Sequence, residues 1–376
     1  MTLLVACLAA AAAAYQFLAW LAVLAFLRRP AAIPRELPRV SILKPVYGLD
    51  PHFYEAVESH AILDYPDYEI LFGLSDPADP ARPLLEKLCA AYPHRPMRII
   101  VASHRAPNPK VGVLIELARQ ARHPVLVVND SDIAVPRDYL RRLVAALEEP
   151  GVGLATCLYR GEGQGLAGRF EALAIATDFV PGVLVAPRLG VSEFALGATM
   201  AFRATDLARA GGFEAIADYL ADDYQLGRRM RALGLRVTMA PLVVVTFLPN
   251  KGWRQAWQHQ VRWARTVRAC RRGGYLGMPV TWATLWVAAL AACGWSLAAL
   301  GLLALRLMTA FTVASRVLRM PLGVPDLVLV PLRDLWGVAI WIAGLTGRRV
   351  TWRGRSLKIA PDGRIRHTPD LAPVDQ

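Results

Sequence analysis

Charged side chains are missing from two long stretches of this 376-residue chain, residues 1–27 and residues 273–305. Both stretches exceed the roughly 20 apolar residues that cross a bilayer as a helix. The overall hydrophobic content of 55% is also above the roughly 45–50% of soluble domains. These features argue against an ordinary soluble enzyme and predict membrane segments.

Cysteine is scarce, and no two cysteines form a Cys-x-x-Cys pair. The five are Cys7, Cys89, Cys157, Cys270 and Cys293. An odd, scattered set argues against a disulfide framework or a zinc site and fits a reducing cytosol. The seven histidines show no metal-ligand spacing. A Gly-x-Ser-x-Gly motif and a P-loop are absent too, which leaves a hydrolase or a kinase without support.

Charge of one sign is in excess, with a formal net charge of +13. Much of the arginine flanks the apolar stretches, where it would face anionic lipid. The chain has no nucleic-acid-binding motif, so we expect no nucleic-acid partner.

The N-terminal stretch has no positive region before it and is long, so residues 1–28 are predicted to be a retained anchor rather than a cleaved signal peptide. Arg28 and Arg29 follow it directly, with Arg35 and Arg39 close behind. Positive charge is retained on the cytoplasmic side of a membrane. The N-terminus is therefore expected outside and the middle of the chain in the cytosol.

A second apolar region is predicted at 279–346, with basic residues on both sides. Those before it are Arg268, Arg271 and Arg272, and those after it are Arg348, Arg349, Arg353, Arg355 and Lys358. Both flanks are then cytosolic, so the number of crossings must be even. We expect two, at about 279–305 and 325–346, with 347–376 as a cytosolic tail.

The second of these crossings is imperfect because Arg333 and Asp334 lie within it. Either the two pair with each other, or the stretch begins as an interfacial or re-entrant segment. Residues 307–320 have an amphipathic pattern and are an alternative partial crossing.

Residues 36–275 alternate between strand-like and helix-like stretches. Strands are predicted at 39–46, 68–75, 97–102 and 124–129, with helices at 51–63, 80–92 and 109–121 between them, and later strands at 153–159, 198–203 and 237–247. Such alternation predicts a mostly parallel sheet covered by helices. Ligands of open α/β sheets bind beyond the carboxyl ends of the strands, and acidic residues occur at these ends.

The hydrophobic strand in VLVVNDSDIAVP, residues 125–136, runs into Asp130 and Asp132. Two carboxylates that face one cleft repel each other unless a cation compensates. Magnesium or manganese bridging a diphosphate is the natural partner, since these hard ions take carboxylate and phosphate oxygens. The alternative is a turn in which an aspartate caps a helix.

Two further segments have residues suited to a nucleotide. Asp76 and Asp79 follow the second strand, where Asp76 can accept a hydrogen bond from a base or ribose, whereas Asp79 fits a proline-rich turn better. Lys110 opens a helix and can reach a phosphate or the base. An exposed, unspecialised lysine is the alternative.

Asp222 and Asp223 occupy the first turn of a helix in ADYLADDYQLG. Acidic residues are favoured there by the helix dipole in any case. Sugar transfer with inversion needs one carboxylate beside the acceptor hydroxyl to take its proton. Two carboxylates in an enclosed cleft would raise one pKa toward a useful value, so one of this pair is the predicted base.

The segment 253–272 is basic and rich in tryptophan. Arg262 could neutralise charge on a leaving nucleoside diphosphate, with Trp263 beside the donor and acceptor. The segment also fits an amphipathic helix on the membrane surface with Trp and Arg as anchors, and we expect both roles.

These motifs occur in the order SILKPVYGLD, Asp76, NPK, Asp-Ser-Asp, ADDY and RW. They resemble inverting glycosyltransferases of the GT-A fold, and more narrowly the ceramide glucosyltransferase-like family, over about residues 38–270. That family has a lysine-proline first strand, three separated aspartate motifs and a (Q/R)xxRW signature. The resemblance implies a Rossmann-like mixed sheet with helices on both faces, plus transmembrane helices at both ends of the chain.

The resemblance also implies residue roles. Nucleoside and donor contacts fall to Lys44, Asp76, Lys110 and Asp130; the metal ligands are Asp132 and Asp130; the base is Asp223 with Asp222 beside it; and Arg262 and Trp263 contact the diphosphate and acceptor. One position departs from the signature. Three residues before Arg262 stands His259, with Gln260 next to it.

Four stretches resemble a bacterial branch of this family that acts in hopanoid biosynthesis: 156–161, 197–203, 220–227 and 262–266. That branch implies transfer of N-acetylglucosamine from its UDP derivative to bacteriohopanetetrol at the cytosolic face of the bacterial inner membrane. The apolar segment 166–196 is a candidate acceptor pocket, or else a buried helix and loop.

Three other functions remain open. Bacterial ceramide glucosyltransferases, which use UDP-glucose, share most of these motifs. A processive polysaccharide synthase would need more crossings to form its channel. A catalytically dead scaffold is disfavoured because all the acidic positions of the pattern are filled.

Overall fold

A computed structural model describes residues 2–30, 33–249, 252–321, 323–352 and 355–366. Part of the predicted tail, including 367–376, therefore lies outside the described residues. The first helix, α1, spans Thr2–Leu27 and contains almost only apolar side chains.

The following residues alternate strand and helix as predicted. In chain order the elements are β1 Val40–Val46, α2 Phe53–Ala61, β2 Tyr68–Leu74, α3 Arg82–Ala91, β3 Met97–Val101, α4 Pro109–Gln120 and β4 Val125–Asn129. Strands β1, β2 and β4 are buried along their whole length. That explains their largely apolar composition, in which polar residues such as Ser41, Lys44 and Glu69 are the exceptions, because strands covered by helices on both faces do not alternate regularly with polar residues.

The middle of the chain adds antiparallel strands and shorter helices. They are β5 Ile133–Ala134, α5 Tyr139–Leu147, β6 Val152–Gly163, α6 Gly165–Ala174, α7 Val180–Val185, β7 Thr199–Arg203, α8 Ala204–Arg209, α9 Asp222–Ala232 and β8 Arg236–Leu248. A π-helix, Ile175–Phe179, joins α6 to α7, and 3₁₀ turns lie at Ala186–Leu189 and Glu214–Ile216.

The C-terminal third is helical and ends in a small sheet. Its elements are α10 Trp253–Cys270, α11 Arg272–Gly277, α12 Ala283–Ala292, α13 Ser296–Thr312, α14 Val324–Leu345, β9 Arg349–Trp352, β10 Arg355–Ile359 and β11 Ile365–Arg366. A 3₁₀ turn, Met278–Thr281, precedes α12, and a π-helix, Val313–Val317, continues α13.

Eight strands form one mixed sheet in the order β3-β2-β1-β4-β7-β6-β8-β5. Strands β1 to β4 pair in parallel, and β7 reverses direction between β4 and β6. Strands β6 and β8 are again parallel, and β5 is antiparallel to β8. Helix α4 packs on one face of the sheet and α5 on the other. The predicted mixed sheet with helices on both faces is therefore observed.

Four helical stretches of the described chain are long and apolar enough to cross a membrane: Thr2–Leu27, Gly165–Leu189, Ser296–Val317 and Pro325–Leu345. A bent pair, Arg272–Thr281 with Ala283–Ala292, has the composition of a fifth, with a 53° angle between its halves. The range 279–305, expected as one crossing, contains two helices. They meet at Gly294, which has a φ of 81°.

The stretch Gly165–Leu189 is apolar enough to cross, but the sheet connects its two ends. It follows β6 and precedes β7, and these two strands pair with each other. A complete crossing would place the paired strands on opposite sides of the bilayer. Both ends of the stretch therefore lie on the same side, and it is either buried in the protein or enters the membrane and returns.

The small C-terminal sheet contacts the domain that contains the eight-stranded sheet. Tyr219 forms a β-bridge with Arg364, and the amide of Ile365 donates to the carbonyl of Asp218 at 2.6 Å. Any bilayer crossings of the chain between β8 and β9 would therefore be even in number.

Arg333 and Asp334 are both buried, but they do not pair with each other. Arg333 lies 3.4 Å from Asp178 of the π-helix after α6, whereas Asp334 pairs with Arg306 of α13 at 2.5 Å. Arg306 also contacts Asp178 at 2.9 Å. Buried charges in apolar helices are tolerated when they pair in this way, and the cluster fastens α13 and α14 to the segment after α6.

Candidate active site

The Asp130–Asp132 turn lies directly beyond β4, at the carboxyl edge of the parallel strands. Strand β5 follows at once and pairs with β8, which brings Thr246 to the turn. The Thr246 hydroxyl donates to Asp132 Oδ2 at 2.8 Å, and the Phe247 amide donates to the Asp132 carbonyl at 3.1 Å. The end of one strand and the side of another thus fix the direction of Asp132.

Lys110 connects the turn to α9. Asn108 caps α4, with its side chain accepting the amides of Lys110 and Val111. The Lys110 ammonium then lies 2.7 Å from Asp130 Oδ1 and 3.2 Å from Asp222 Oδ2. The alternative of an exposed, unspecialised lysine does not hold, because Lys110 lies between carboxylates of two separate motifs.

Asp223 faces the same space from the first turn of α9. Its Oδ2 accepts the Gly197 amide at 2.9 Å, and its Oδ1 accepts the Tyr224 amide at 2.7 Å. A Cβ atom on Gly197 would lie 3.2 Å from Asp223 Oδ2 and 3.8 Å from Asp130 Oδ2. The carboxylates of Asp223 and Asp130 therefore approach Gly197 from two directions.

Electrostatics of the cleft set its carboxylates apart from surface acids. Burial, together with Asp130 and Asp50, raises the pKa of Asp132 to about 6. Burial and Asp222 raise the pKa of Asp223 to about 6, against the opposing effect of Lys110. Such carboxyls change protonation state just below neutral pH, as a proton acceptor requires.

Lys44 lies under the turn. It is fully buried and donates to Asn129 Oδ1 at 2.5 Å and to the Asp130 carbonyl at 2.9 Å. Burial lowers the pKa of Lys44 to about 7, against the opposing effect of Asp132 and Asp130. Its contacts join the end of β1 to the end of β4, so in this structure it supports the turn from below.

Asp50 completes the acidic edge, although sequence reasoning did not select it. Its Oδ2 accepts the Ser131 hydroxyl at 2.9 Å. Asp50 is the last residue of SILKPVYGLD and follows β1, just as Asp76 follows β2 and Asp130 follows β4. Its position after the first strand was the available signal.

The two aspartates after β2 differ in their surroundings. Asp76 is exposed, and one of its oxygens accepts the Ala78 amide at 2.8 Å. Asp79 is buried and accepts the amides of Gly48 and Ala81 at about 2.9 Å. Asp79 therefore holds two loops together, as the turn interpretation predicts, and Asp76 remains available to a ligand.

Helix α10 presents His259 and Trp263 on one face. Their ring centroids are 4.7 Å apart, and His259 Nδ1 lies 2.5 Å from the buried Glu171. Gln260 faces elsewhere, since its side chain accepts the indole N–H of Trp336 in α14 at 3.0 Å. His259, and not Gln260, therefore stands at the first position of the RW signature.

Aromatic side chains connect this face with the carboxylates. Trp263 lies 6.4 Å from Phe179, and Phe179 lies 5.0 Å from Tyr159, centroid to centroid. Burial raises the pKa of Tyr159, and the charges of Asp223 and Asp132 raise it further. Glu171 and Phe179 lie in the segment 166–196 that was predicted as a candidate acceptor pocket. Neither they nor Tyr159 were singled out from the sequence, because only the fold brings 159, 179 and 263 together. Arg262 precedes Trp263 on α10 and is half-buried.

The cleft suits a hard divalent cation shared with a phosphate ligand. Within the described ranges no group of three or more His, Cys, Asp or Glu side chains could hold a metal ion unaided. Asp130 and Asp132 offer a carboxylate pair whose mutual repulsion a cation would relieve. Diphosphate oxygens and water would supply the remaining ligands, so the residues fit such an ion.

Comparison with known proteins agrees with this geometry. The profile of glycosyl transferase family 21 matches residues 2–365. Among solved structures, a mannosyltransferase of Pyrobaculum calidifontis in complex with GDP-Man and Mn²⁺ superposes with a TM-score of 0.58 at 21% identity, covering 91% of this chain and 97% of the other. The predicted GT-A-like fold is thereby confirmed.

Curated relatives are ceramide glucosyltransferases. Ceramide glucosyltransferase 1 of Caenorhabditis elegans is 27% identical over 207 residues, which are 54% of this chain and 44% of that protein. The ceramide glucosyltransferase of Candida albicans is 32% identical over 121 residues, 29% of this chain and 22% of the relative. The match thus spans less than half the length of these curated relatives. The sequence-predicted resemblance to this family is confirmed by the profile, and the chain belongs to glycosyl transferase family 21.

Proposed function

We propose that this protein is a membrane-bound inverting glycosyltransferase that moves a sugar from a UDP-sugar to the hydroxyl of a lipid. One observation carries the proposal. Asp223, a carboxylate whose pKa is raised to about 6, faces Asp130 of the Asp130–Asp132 pair across Gly197. The pair suits a metal-bound diphosphate, and Asp223 is placed to accept a proton beside it.

The chemistry then follows from these positions. Asp223 takes the proton of the lipid hydroxyl, whose oxygen attacks the anomeric carbon on the face opposite the UDP group. The bond from that carbon to the diphosphate oxygen breaks, and the configuration inverts. Lys110 holds Asp130 and Asp222 in place, and Arg262 is proposed to neutralise charge on the leaving UDP.

Asp132 and Asp130 would hold Mg²⁺ or Mn²⁺. Such an ion supplies positive charge to the diphosphate as it leaves. Asp76 is proposed to bind the nucleoside, because it is exposed at the end of the neighbouring strand. Lys44, being buried under the turn, is proposed to act on donor binding by positioning Asp130.

The acceptor is proposed to enter from the membrane. The apolar stretch Gly165–Leu189 has both ends on the catalytic side and contributes Phe179 to the aromatic path. Helix α10 lies against α14, where Trp336 packs on Trp257 with centroids 5.1 Å apart. A lipid lying along these helices could bring its hydroxyl past Trp263 to Asp223.

The proposed membrane arrangement follows the sequence prediction. Residues 1–28 anchor the chain, 36–275 form the cytosolic catalytic domain with 253–272 at the interface, 279–346 re-enter the membrane, and 347–376 are a cytosolic tail. Tyr219 and Arg364 form a β-bridge, so the residues on either side of 279–346 lie on the same side of the membrane. Any crossings within 279–346 are then even in number, which supports a catalytic domain and a tail on one side. We place them in the cytosol of a bacterium, at its inner membrane.

For the substrates, we propose UDP-N-acetylglucosamine and bacteriohopanetetrol, on the motif resemblance at 156–161, 197–203, 220–227 and 262–266. UDP-glucose and ceramide are the second candidate pair, favoured by the names of the curated relatives. A processive polysaccharide synthase has less support, because few helices remain to build a channel.

A four-way assay tests both proposals. Purified full-length chain in lipid vesicles with Mn²⁺ is given each UDP-sugar with each lipid acceptor, and labelled lipid is separated by chromatography. We expect N-acetylglucosamine on bacteriohopanetetrol. Turnover of ceramide with UDP-glucose alone would replace the acceptor assignment, and no label in either lipid would remove the lipid-transfer proposal.

A further inference from the structure

A second site lies at the junction of α10, α11, the end of α14 and β10. It is a cavity of about 400 Å³ that shares no residue with the candidate active site. Four arginines and an apolar wall form most of its lining. The arginines are Arg265, Arg268, Arg272 and Arg348, and the wall includes Tyr275, Leu276 and Leu345.

The cavity concentrates positive charge without a counter-ion, since none of its lining residues is acidic. Arg265 donates to the carbonyls of Thr346 and Arg349, the latter at 2.5 Å. Arg268 donates to the carbonyls of Leu345 and Gly347. These partners are neutral, so the guanidinium charges stay uncompensated. Burial lowers the pKa of Arg265, and the charge of Arg268 lowers it further.

The other two arginines are available to a ligand. Arg272 and Arg348 are exposed and make no side-chain hydrogen bond or ion pair with the part of the chain that the structure describes. Guanidinium groups bind phosphate through paired N–H donors, which makes arginine the preferred residue for such anions. Two anchored and two available guanidiniums around one cavity are therefore a phosphate-binding arrangement.

The position of the cavity suits a lipid rather than a soluble anion. Arg272 begins the bent apolar pair that continues to Ala292, and Leu345 ends the apolar stretch Pro325–Leu345. Both stretches thus reach their catalytic-side ends at the cavity. Leu276 is 62% exposed and Leu345 38% exposed, so apolar surface borders the charged groups, as at the boundary between headgroups and acyl chains.

We propose that this cavity binds the headgroup of an anionic phospholipid. The phosphodiester would lie among the four guanidiniums, and the acyl chains would run along Leu276 and Leu345. The site is independent of the proposed sugar transfer, so binding is expected with or without a UDP-sugar.

Native mass spectrometry of the full-length chain in neutral detergent measures this binding directly. The chain is titrated with phosphatidylglycerol, with phosphatidylcholine of the same acyl chains, and with inorganic phosphate alone. We expect phosphatidylglycerol to bind at least about tenfold more tightly than phosphatidylcholine. Each basic side chain near an anionic lipid contributes about 1 kcal/mol, so the double variant Arg272→Gln/Arg348→Gln should lose affinity about fivefold per arginine.

The matched control is Arg137→Gln/Arg231→Gln, which removes the same charge from exposed positions of the catalytic domain. It should bind phosphatidylglycerol as the unmodified chain does. Equal binding of both lipids, or unchanged affinity in the Arg272/Arg348 variant, would overturn the site. Inorganic phosphate binding as tightly as the lipid would overturn its assignment to a phospholipid. If the Arg272/Arg348 variant does not fold, the site is tested in the unmodified chain instead. There phosphatidylglycerol should bind more tightly than phosphatidylcholine, and salt should weaken the binding of phosphatidylglycerol.

Discussion

Replacing Asp223 with asparagine is the sharpest test of the catalytic assignment, because the two side chains have the same size but only the carboxylate can take a proton. Asp223 accepts one amide on each oxygen, from Gly197 and from Tyr224. Asparagine keeps one of these bonds and turns an NH₂ group toward the other amide. The variant is therefore expected to fold, with one backbone N–H left without its acceptor.

The size of the effect can be estimated from these contacts. An unsatisfied buried N–H costs about 1–3 kcal/mol of stability, less than the roughly 5–15 kcal/mol that holds a typical domain folded. Loss of a general base lowers the rate by about 10²- to 10⁴-fold. Replacing Asp223 also removes the cost of ionising a carboxyl whose pKa is raised to about 6, which opposes that loss at neutral pH. We therefore expect little change in melting temperature and a fall in kcat of that size.

The pH profile makes the test specific. Because the pKa of Asp223 is raised to about 6 and the base must be ionised, kcat/KM of the unmodified chain should fall as pH drops through 6. Asp223→Asn should lose this acid limb while calorimetry shows the UDP-sugar still bound. Asp222→Asn is the comparison, since it leaves the base in place: the limb should remain but move to lower pH, because the charge of Asp222 helps to raise the pKa of Asp223. Full transfer activity in Asp223→Asn would refute the assignment.

Three further variants test the surroundings of the base. Asp132→Asn should raise the melting temperature of the metal-free protein above pH 6. Folding raises the pKa of Asp132 from 3.8 to about 6, so its ionisation cost is absent below pH 4 and complete above pH 6. Stabilisation by Mn²⁺ should disappear in the same variant. Glu171→Gln should raise KM for the lipid about tenfold and leave KM for the UDP-sugar unchanged, because it weakens the charged contact that orients His259. Gly197→Ala should lower kcat at least about tenfold in a folded protein, because its Cβ would lie 3.2 Å from Asp223 Oδ2.

Each of these variants has an outcome that contradicts its premise. Persistent Mn²⁺ stabilisation in Asp132→Asn, seen by thermal scanning, would remove Asp132 from the metal site. Equal increases of both KM values in Glu171→Gln would indicate general damage to the cleft. Unchanged steady-state kinetics in Gly197→Ala would show that crowding the Asp223 carboxylate at this glycine does not affect transfer. Gly252→Ala is its control, since a Cβ there meets no atom within 4 Å.

The positions of the carboxylates of the candidate active site could be predicted because local sequence patterns determine them. A buried apolar strand followed by Asp130-Ser-Asp132 places that pair at a sheet edge whatever the rest of the chain does. Asp222 and Asp223 likewise follow from a helix start. The sheet that connects these carboxylates could be predicted from the alternation of strand-like and helix-like stretches alone. The strand-like stretches are recognisable because β1, β2 and β4 are buried and therefore largely apolar.

Other features depend on contacts between distant segments. No local pattern predicts that Glu171 contacts His259, 88 positions away. Nor does any local pattern predict that Arg333 pairs with Asp178 while Asp334 pairs with Arg306. Hydropathy alone also presents Gly165–Leu189 as a membrane span. Only the pairing of β6 with β7 shows that its two ends lie on one side.

The anomeric configuration of the lipid product tests the central claim most directly. Transfer from an α-linked UDP-sugar by a single base, Asp223, must invert the anomeric carbon. Proton NMR of the glycolipid made by the purified chain should therefore show a β-linked sugar. An α-linked product would mean retention and would contradict the mechanism drawn from this site.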